Sequence, residues 1–209
     1  MAEILAFGDS NTWGFVPGSK DYSRYPEDVR WTGLLQKKIS KASVIEEGLC
    51  GRTTIFEDSY RPGRKGVSSL ATILKKHTSL GAVVLMLGTN DCKSIYKASA
   101  QVIGNGIEEC LKEIEKVVPA EKILLVSPIF LGEDVWREDK DPEFEKSSIA
   151  VSHELKDVYR SIAKKHGNAF LAASDYADAD PADNEHLNEK GHRAFAGAVY
   201  EKLLLMDAV

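Results

Sequence analysis

Five short apolar runs, each followed by a stretch with helical spacing of apolar residues, constrain this chain more than any other feature. Ile4-Leu5-Ala6-Phe7-Gly8 is nearly continuous in its apolarity, as a strand covered on both faces requires. Ala82–Gly88 is apolar throughout and is assigned to the centre of the sheet. Ser43–Gly48 and Lys122–Ser127 give a second and a fourth strand, the latter stopped by Pro128, and Asn168–Leu171 gives a weaker fifth. Helices are expected at Trp31–Ile39, around Leu70, Ile73 and Leu74, at Ala98–Val118 before Pro119, at Ser147–His166 and at Glu189–Met206. Lys75-Lys76-His77 suits the C-terminus of the second of these. Five βα units predict an α/β chain, a parallel five-stranded sheet between two layers of helices, because right-handed crossovers place the helices on both sides. Ligands of such sheets bind beyond the carboxyl ends of the strands, where the strand order reverses.

One domain spanning residues 1–209 accommodates these units, and a chain of this size buries a core without disulfides. Lys plus Arg number 27 against 32 Asp plus Glu, a net charge of −5 that disfavours a nucleic-acid partner. No apolar run reaches the roughly 20 residues of a membrane helix, so no membrane partner is expected. Met1-Ala2-Glu3 shows no basic n-region, and Cys50, Cys92 and Cys110 form no CxxC pair, which together predict a reduced, cytoplasmic setting. Gly132–Lys146 holds seven acidic residues against three basic ones, and Trp136. It is long for a loop of this kind and is expected to border the site and to disfavour anionic substrates.

The polar residues that follow the strands are the candidates for chemistry. Asp9, Ser10 and Asn11 follow the first, with the Ser10 hydroxyl at the carboxyl edge near a helix N-terminus. Gly51 follows the second and can adopt φ > 0, exposing a backbone N–H. Asn90 and Asp91 follow the third, and a side-chain amide there can donate to an oxyanion. Asp183 and His186 precede the last helix at a spacing that lets the carboxylate accept from imidazole Nδ1 and leaves Nε2 as a base. Each also fits a turn or a cap, but one cleft holding all of them has the parts for acyl transfer from an ester. His77, His153, His166 and His192 fit ordinary helix positions, and the cysteines fit small packing groups.

GDSNTWG, the Gly51 segment, GTND and DNEH, in that order, resemble the four blocks of the SGNH (GDSL-type) hydrolases. RWTG at Arg30–Gly33, IEEGLCGRTT at Ile45–Thr54 and MLGTND at Met86–Asp91 resemble its arylesterase/acyltransferase branch. The resemblance implies a three-layer, flavodoxin-like sandwich and a serine esterase acting on small acyl or aryl esters through an acyl-enzyme, with acyl transfer as a further capacity. Ser10 matches the nucleophile, His186 the base and Asp183 its partner. Ser10 N–H, Gly51 N–H and Asn90 match the oxyanion donors, and Asp9 and Asp91 match supporting positions. Asn11 stands where the family name has leucine and, with Trp13 and Trp136, is a candidate pocket wall. No metal and no cofactor is implied, and a homo-oligomer, dimer or larger, is. Carbohydrate (acetyl-xylan type) deacetylase and thioesterase activities use the same site. A metal phosphoesterase lacks an early Asp-x-His and an Asn-His pair. An Asp9 phosphoenzyme lacks a second Asp at position 11. A non-catalytic small-ligand module leaves the assembled set without a use.

Overall fold

The apolar runs form one parallel sheet in a computed structural model that describes residues 2–209. The strands are β1 (Ala2–Gly8), β2 (Ala42–Gly48), β3 (Leu80–Met86), β4 (Ile123–Ser127) and β5 (Ala169–Ala172), in the spatial order β2-β1-β3-β4-β5. This is the flavodoxin-like order expected, with the reversal between β1 and β3. Gly8 is level with Gly48 on one side and with Met86 on the other. The segments that leave β1, β2 and β3 therefore start from one line across the sheet.

Alternate residues of each strand enter opposite layers. Leu5, Phe7, Val83, Leu85, Ile123 and Leu125 pack beneath α3 (Gly66–Leu74), α4 (Ala100–Ile114) and α5 (Lys146–His166). Ile4, Ala6, Ala82, Val84, Leu124 and Val126 pack beneath α2 (Trp31–Lys38) and α6 (Glu189–Leu205). Both faces being covered explains why the strands read as continuous apolar runs. The edge strand β2 is the exception: its Glu46 pairs with Arg24 and Arg30 and accepts from the Thr32 hydroxyl. Trp31, fully buried against Phe195 at 5.1 Å, is the largest side chain of the α2–α6 layer.

Most element boundaries fall within a few residues of the sequence expectation, and two segments show why they shift. The helix N-terminus expected at Ser10 belongs to a single helical turn, α1 (Ser10–Trp13), capped by the Asp9 carboxylate and closed by Gly14. A helix so short has little dipole, so developing charge at Ser10 must be met by individual N–H groups. Helix α4 ends at Ile114 rather than at Val118, and the Ile114 carbonyl then accepts from both Val117 N–H and Val118 N–H in a closing turn. Among the described residues, no helix is long and apolar enough to cross a membrane.

Candidate active site

The sheet edge delivers Ser10 directly. Strand β1 ends at Gly8, where a Cβ would lie 2.1 Å from the Thr12 hydroxyl and 2.9 Å from the Met86 carbonyl. Only glycine lets the chain turn there against its own next turn. Asp9, 1% exposed, accepts from Asn11 N–H at 3.0 Å and so orients α1. Ser10 comes to lie with its hydroxyl 2.8 Å from His186 Nε2. His186 Nδ1 is 2.8 Å from an Asp183 carboxylate oxygen. These three side chains, separated by up to 176 residues in sequence, form one unbroken hydrogen-bonded series.

Asp183 is over-supplied with donors. One oxygen accepts from the N–H groups of Glu185 and His186, each at 3.0 Å, and the other from Gly18 N–H at 2.8 Å as well as from the imidazole. Burial pushes its pKa up, but the His186 bond and charge and the backbone donors outweigh this and hold it at about 2. Burial pushes His186 down, yet the charges of Glu185 and Asp183 and the Asp183 bond win and raise it to about 9. The imidazole leans on Phe15, whose ring centroid is 4.5 Å away.

The donors expected from the second and third segments converge on the same cleft. Gly51 is the third residue of a β-turn closed by Arg52 N–H to the Leu49 carbonyl at 3.0 Å, and its φ of +80° suits glycine. Among the described residues, neither Ser10 N–H nor Gly51 N–H donates to any acceptor. Asn90 starts a 3-10 turn and donates one amide hydrogen to the Arg52 carbonyl at 3.2 Å, which fixes the plane of the amide. Asp91, fully buried, accepts from Thr54 N–H at 3.0 and 3.1 Å and from the Thr54 hydroxyl, locking the β3 segment to the β2 segment. Burial pushes the Asp91 carboxyl up to about 7 in spite of these bonds.

A cavity of about 480 Å³ opens over these groups and is lined by Ser10, Gly51, Asn90, Asp183 and His186 together with Phe15, Tyr22, Cys50 and Glu185. Cys50 lies at the cleft, but burial pushes its thiol up to about 11, away from nucleophilic thiolate character. Cys92 and Cys110 are buried packing groups. His192 is buried in α6, where it accepts from Trp31 N–H and burial holds it near 4. Among the described residues, no group of three or more His, Cys, Asp or Glu is placed to hold a metal ion.

The three candidate wall residues fall elsewhere. Asn11 is buried, donating to the Glu185 carbonyl at 3.3 Å and accepting from Leu187 N–H at 2.9 Å. It clamps the peptide groups on either side of His186 instead of facing the cleft. Trp13 lies outside the cavity lining, packed on Phe15 at 6.4 Å beneath the Arg24 guanidinium, because the Gly14 turn brings the next aromatic, Phe15, to the imidazole. Trp136 faces a separate surface depression. Its indole N–H bonds to the Glu133 carbonyl, and Lys146 sits 4.5 Å over its ring.

The acidic excursion does border the cleft, through Glu138–Asp141, but its charge does not dominate there. The lining carries five carboxylates (Glu138, Asp139, Asp141, Asp183 and Glu185) and also Lys20, Arg61, Lys93 and Lys140. Sequence reasoning missed two groups near Ser10. Arg52, 4% exposed, donates to the Gly8 carbonyl at 2.8 Å and to the Glu47 carbonyl, stacks over Phe7 at 4.1 Å and so ties β1 to the β2 segment. Glu185, 5% exposed, lies between the residues of the DNEH block already singled out, and only its unusual burial marks it.

The comparisons with known proteins agree with this geometry. A family profile described as GDSL-like Lipase/Acylhydrolase family matches residues 6–194. The native M. smegmatis aryl esterase is 31% identical over 99% of this chain and 100% of its own, with a TM-score of 0.89. Est24, a carbohydrate acetylesterase from Sinorhizobium meliloti, is 31% identical over 99% and 100%, with a TM-score of 0.88. A lipase/acylhydrolase from Enterococcus faecalis shares the fold at 20% identity, with 97% and 95% covered and a TM-score of 0.69. No curated protein matches the chain by sequence. Family profile and solved structures agree over nearly the whole length, and the chain belongs to the GDSL-like lipase/acylhydrolase family, the SGNH hydrolases, and is an ester-bond hydrolase.

Proposed function

We propose that the protein hydrolyses small carboxylic esters, acyl or aryl, through an acyl-enzyme on Ser10. The observation that carries this reading is the unbroken series from Asp183 through His186 to Ser10, at 2.8 Å for each link, beside two unengaged N–H groups and an amide. His186 Nε2 takes the hydroxyl proton as Ser10 Oγ bonds to the ester carbon, and the carbonyl π electrons move onto oxygen. Ser10 N–H, Gly51 N–H and the second hydrogen of the Asn90 amide donate to that oxyanion. Collapse expels the alkoxide, which leaves with the proton from His186. Water then repeats the sequence on the acyl-enzyme and releases the acid. An alcohol in place of water gives ester exchange on the same intermediate. Turnover of p-nitrophenyl acetate, together with covalent labelling of Ser10 by a fluorophosphonate, tests the reading. Protein that is inert to both sinks it.

Two further results are expected. Asn90→Ala removes one oxyanion donor and is expected to lower kcat by about 10²–10³-fold, with KM changed far less. A comparable rise in KM at unchanged kcat would show that the amide binds the ground state instead. The second concerns pH. His186 acts as a base only when neutral, and its neighbours raise its pKa from 6.5 to about 9. Protonation therefore costs activity below that range, and kcat/KM should climb with pH between 6.5 and about 9 before levelling. A rise complete below pH 6.5 in a kcat/KM profile would contradict this.

A further inference from the structure

Glu185 is a buried carboxyl without a use in the mechanism. Its side chain is 6% exposed and lines the cavity beside Ser10. Its backbone is fully engaged, the N–H with Asp183 and the carbonyl with Asn11. Its carboxylate accepts no hydrogen bond from any described residue, and the imidazole Nδ1 of His186 stands 3.8 Å away, already bonded to Asp183. The carboxylate thus turns acceptors that the protein itself does not use toward the cavity, and a donor for them is to be sought in what enters it.

The same cavity holds a buried cation. The Lys93 side chain is 6% exposed, and its ammonium pairs with Glu143 and stands 3.7 Å from Asp141. Three hydrogens on that nitrogen leave donors to spare after Glu143 is served. Glu185 and Lys93 feel each other's charge: burial pushes Glu185 up to about 7 with Lys93 among the groups that pull it back, and Glu185 is among the groups that hold Lys93 up. This juxtaposition discriminates. A cationic substrate would satisfy Glu185 but meet Lys93, and an anionic one would satisfy Lys93 but meet Glu185 and Asp141. An apolar group would leave both desolvated and unpaired. A neutral hydroxyl donates to the carboxylate and accepts from the ammonium at no charge cost.

We propose that Glu185 and Lys93 form a hydroxyl-reading subsite that selects esters whose alcohol portion is neutral and carries free hydroxyl groups near the scissile oxygen. The proposal deepens the esterase reading and, for its catalytic arm, rests on it.

The test compares glycerol 1-acetate with n-propyl acetate, which share a carbon skeleton and differ in two hydroxyls. Wild type, Glu185→Leu, Lys93→Met and Glu185→Gln are assayed at a pH above the rise of the profile. The ratio of kcat/KM for the two esters is read, because a ratio cancels any change in the basicity of His186. Wild type should favour glycerol 1-acetate by about tenfold or more, and Glu185→Leu and Lys93→Met should each lower that ratio by about tenfold. Glu185→Gln still accepts a hydrogen bond and should keep most of the preference, which separates lost recognition from damage to the fold. Ligand-observed NMR with xylitol supplies an arm that needs no turnover: contact with wild type, lost in Glu185→Leu. A wild-type ratio near one, or a ratio unmoved in the Leu and Met variants, overturns the subsite while the esterase reading stands. Two inert esters with xylitol still bound overturn the esterase reading and leave the subsite. Inert esters and no xylitol contact overturn both.

Discussion

Alanine in place of Ser10 is expected to lower kcat for p-nitrophenyl acetate by about 10⁵–10⁶-fold, the scale on which loss of a serine nucleophile acts in a Ser–His–Asp unit. The substitution removes one hydroxyl from a residue that is 4% exposed, and the Asp9 and Gly14 bonds that shape α1 use other groups. The fold should therefore survive, and circular dichroism of the variant should overlay that of wild type. What remains is a cleft with its N–H donors and an imidazole but no covalent intermediate, so the burst of nitrophenol that marks acylation should vanish. A Ser10→Ala protein that turns over within tenfold of wild type would place the chemistry elsewhere in the molecule.

The second large effect is expected at Asp183. Asparagine there should lower kcat by about 10⁴-fold, for a reason the bonding pattern makes specific. One carboxylate oxygen accepts two backbone N–H groups, from Glu185 and His186. The amide oxygen of an asparagine must take that place. Its NH₂ then replaces the oxygen that faces Gly18 N–H and His186 Nδ1. Donor would confront donor at Gly18, and Nδ1 would become an acceptor, which moves the imidazole proton to Nε2. The ring would then present a hydrogen to Ser10 where a lone pair is needed. The variant should also lose the carboxylate that supports the imidazolium, so the residual kcat/KM should level off at lower pH than in wild type. Full activity in Asp183→Asn, measured by initial rates across pH 6–10, would remove Asp183 from the mechanism.

The sheet was legible because both of its faces are covered. Val83, Val84, Leu85 and Met86 are all 2% exposed or less, so no polar residue interrupts the run and the strand announces itself. Ser10, Asn90, Asp183 and His186 were legible because short polar motifs at the ends of such runs have one shared edge to occupy. The wall of the cleft was not. Trp13 and Phe15 are equally aromatic and two residues apart, and the choice between them is made by the left-handed Gly14 (φ +88°). Asn11 reaches the backbone at positions 185 and 187, and Arg52 reaches the carbonyls of Gly8 and Glu47. Contacts whose partner is a peptide group leave no trace in the identity of the partner residue. Trp136 misled for a related reason: its indole is held by a carbonyl of its own loop and by Lys146 at the start of α5, not by the site.

The Asn11 clamp has a consequence in time. It joins the turn that carries Ser10 to the loop that carries His186, across some 175 positions of chain. During synthesis the nucleophile emerges well before its base, which lies 176 residues further along the chain. Until that loop docks, Ser10 is an ordinary alcohol and Asn11 an amide with nothing to hold. Hydrolytic competence thus waits on the docking of two segments far apart in the chain, not on the folding of either alone.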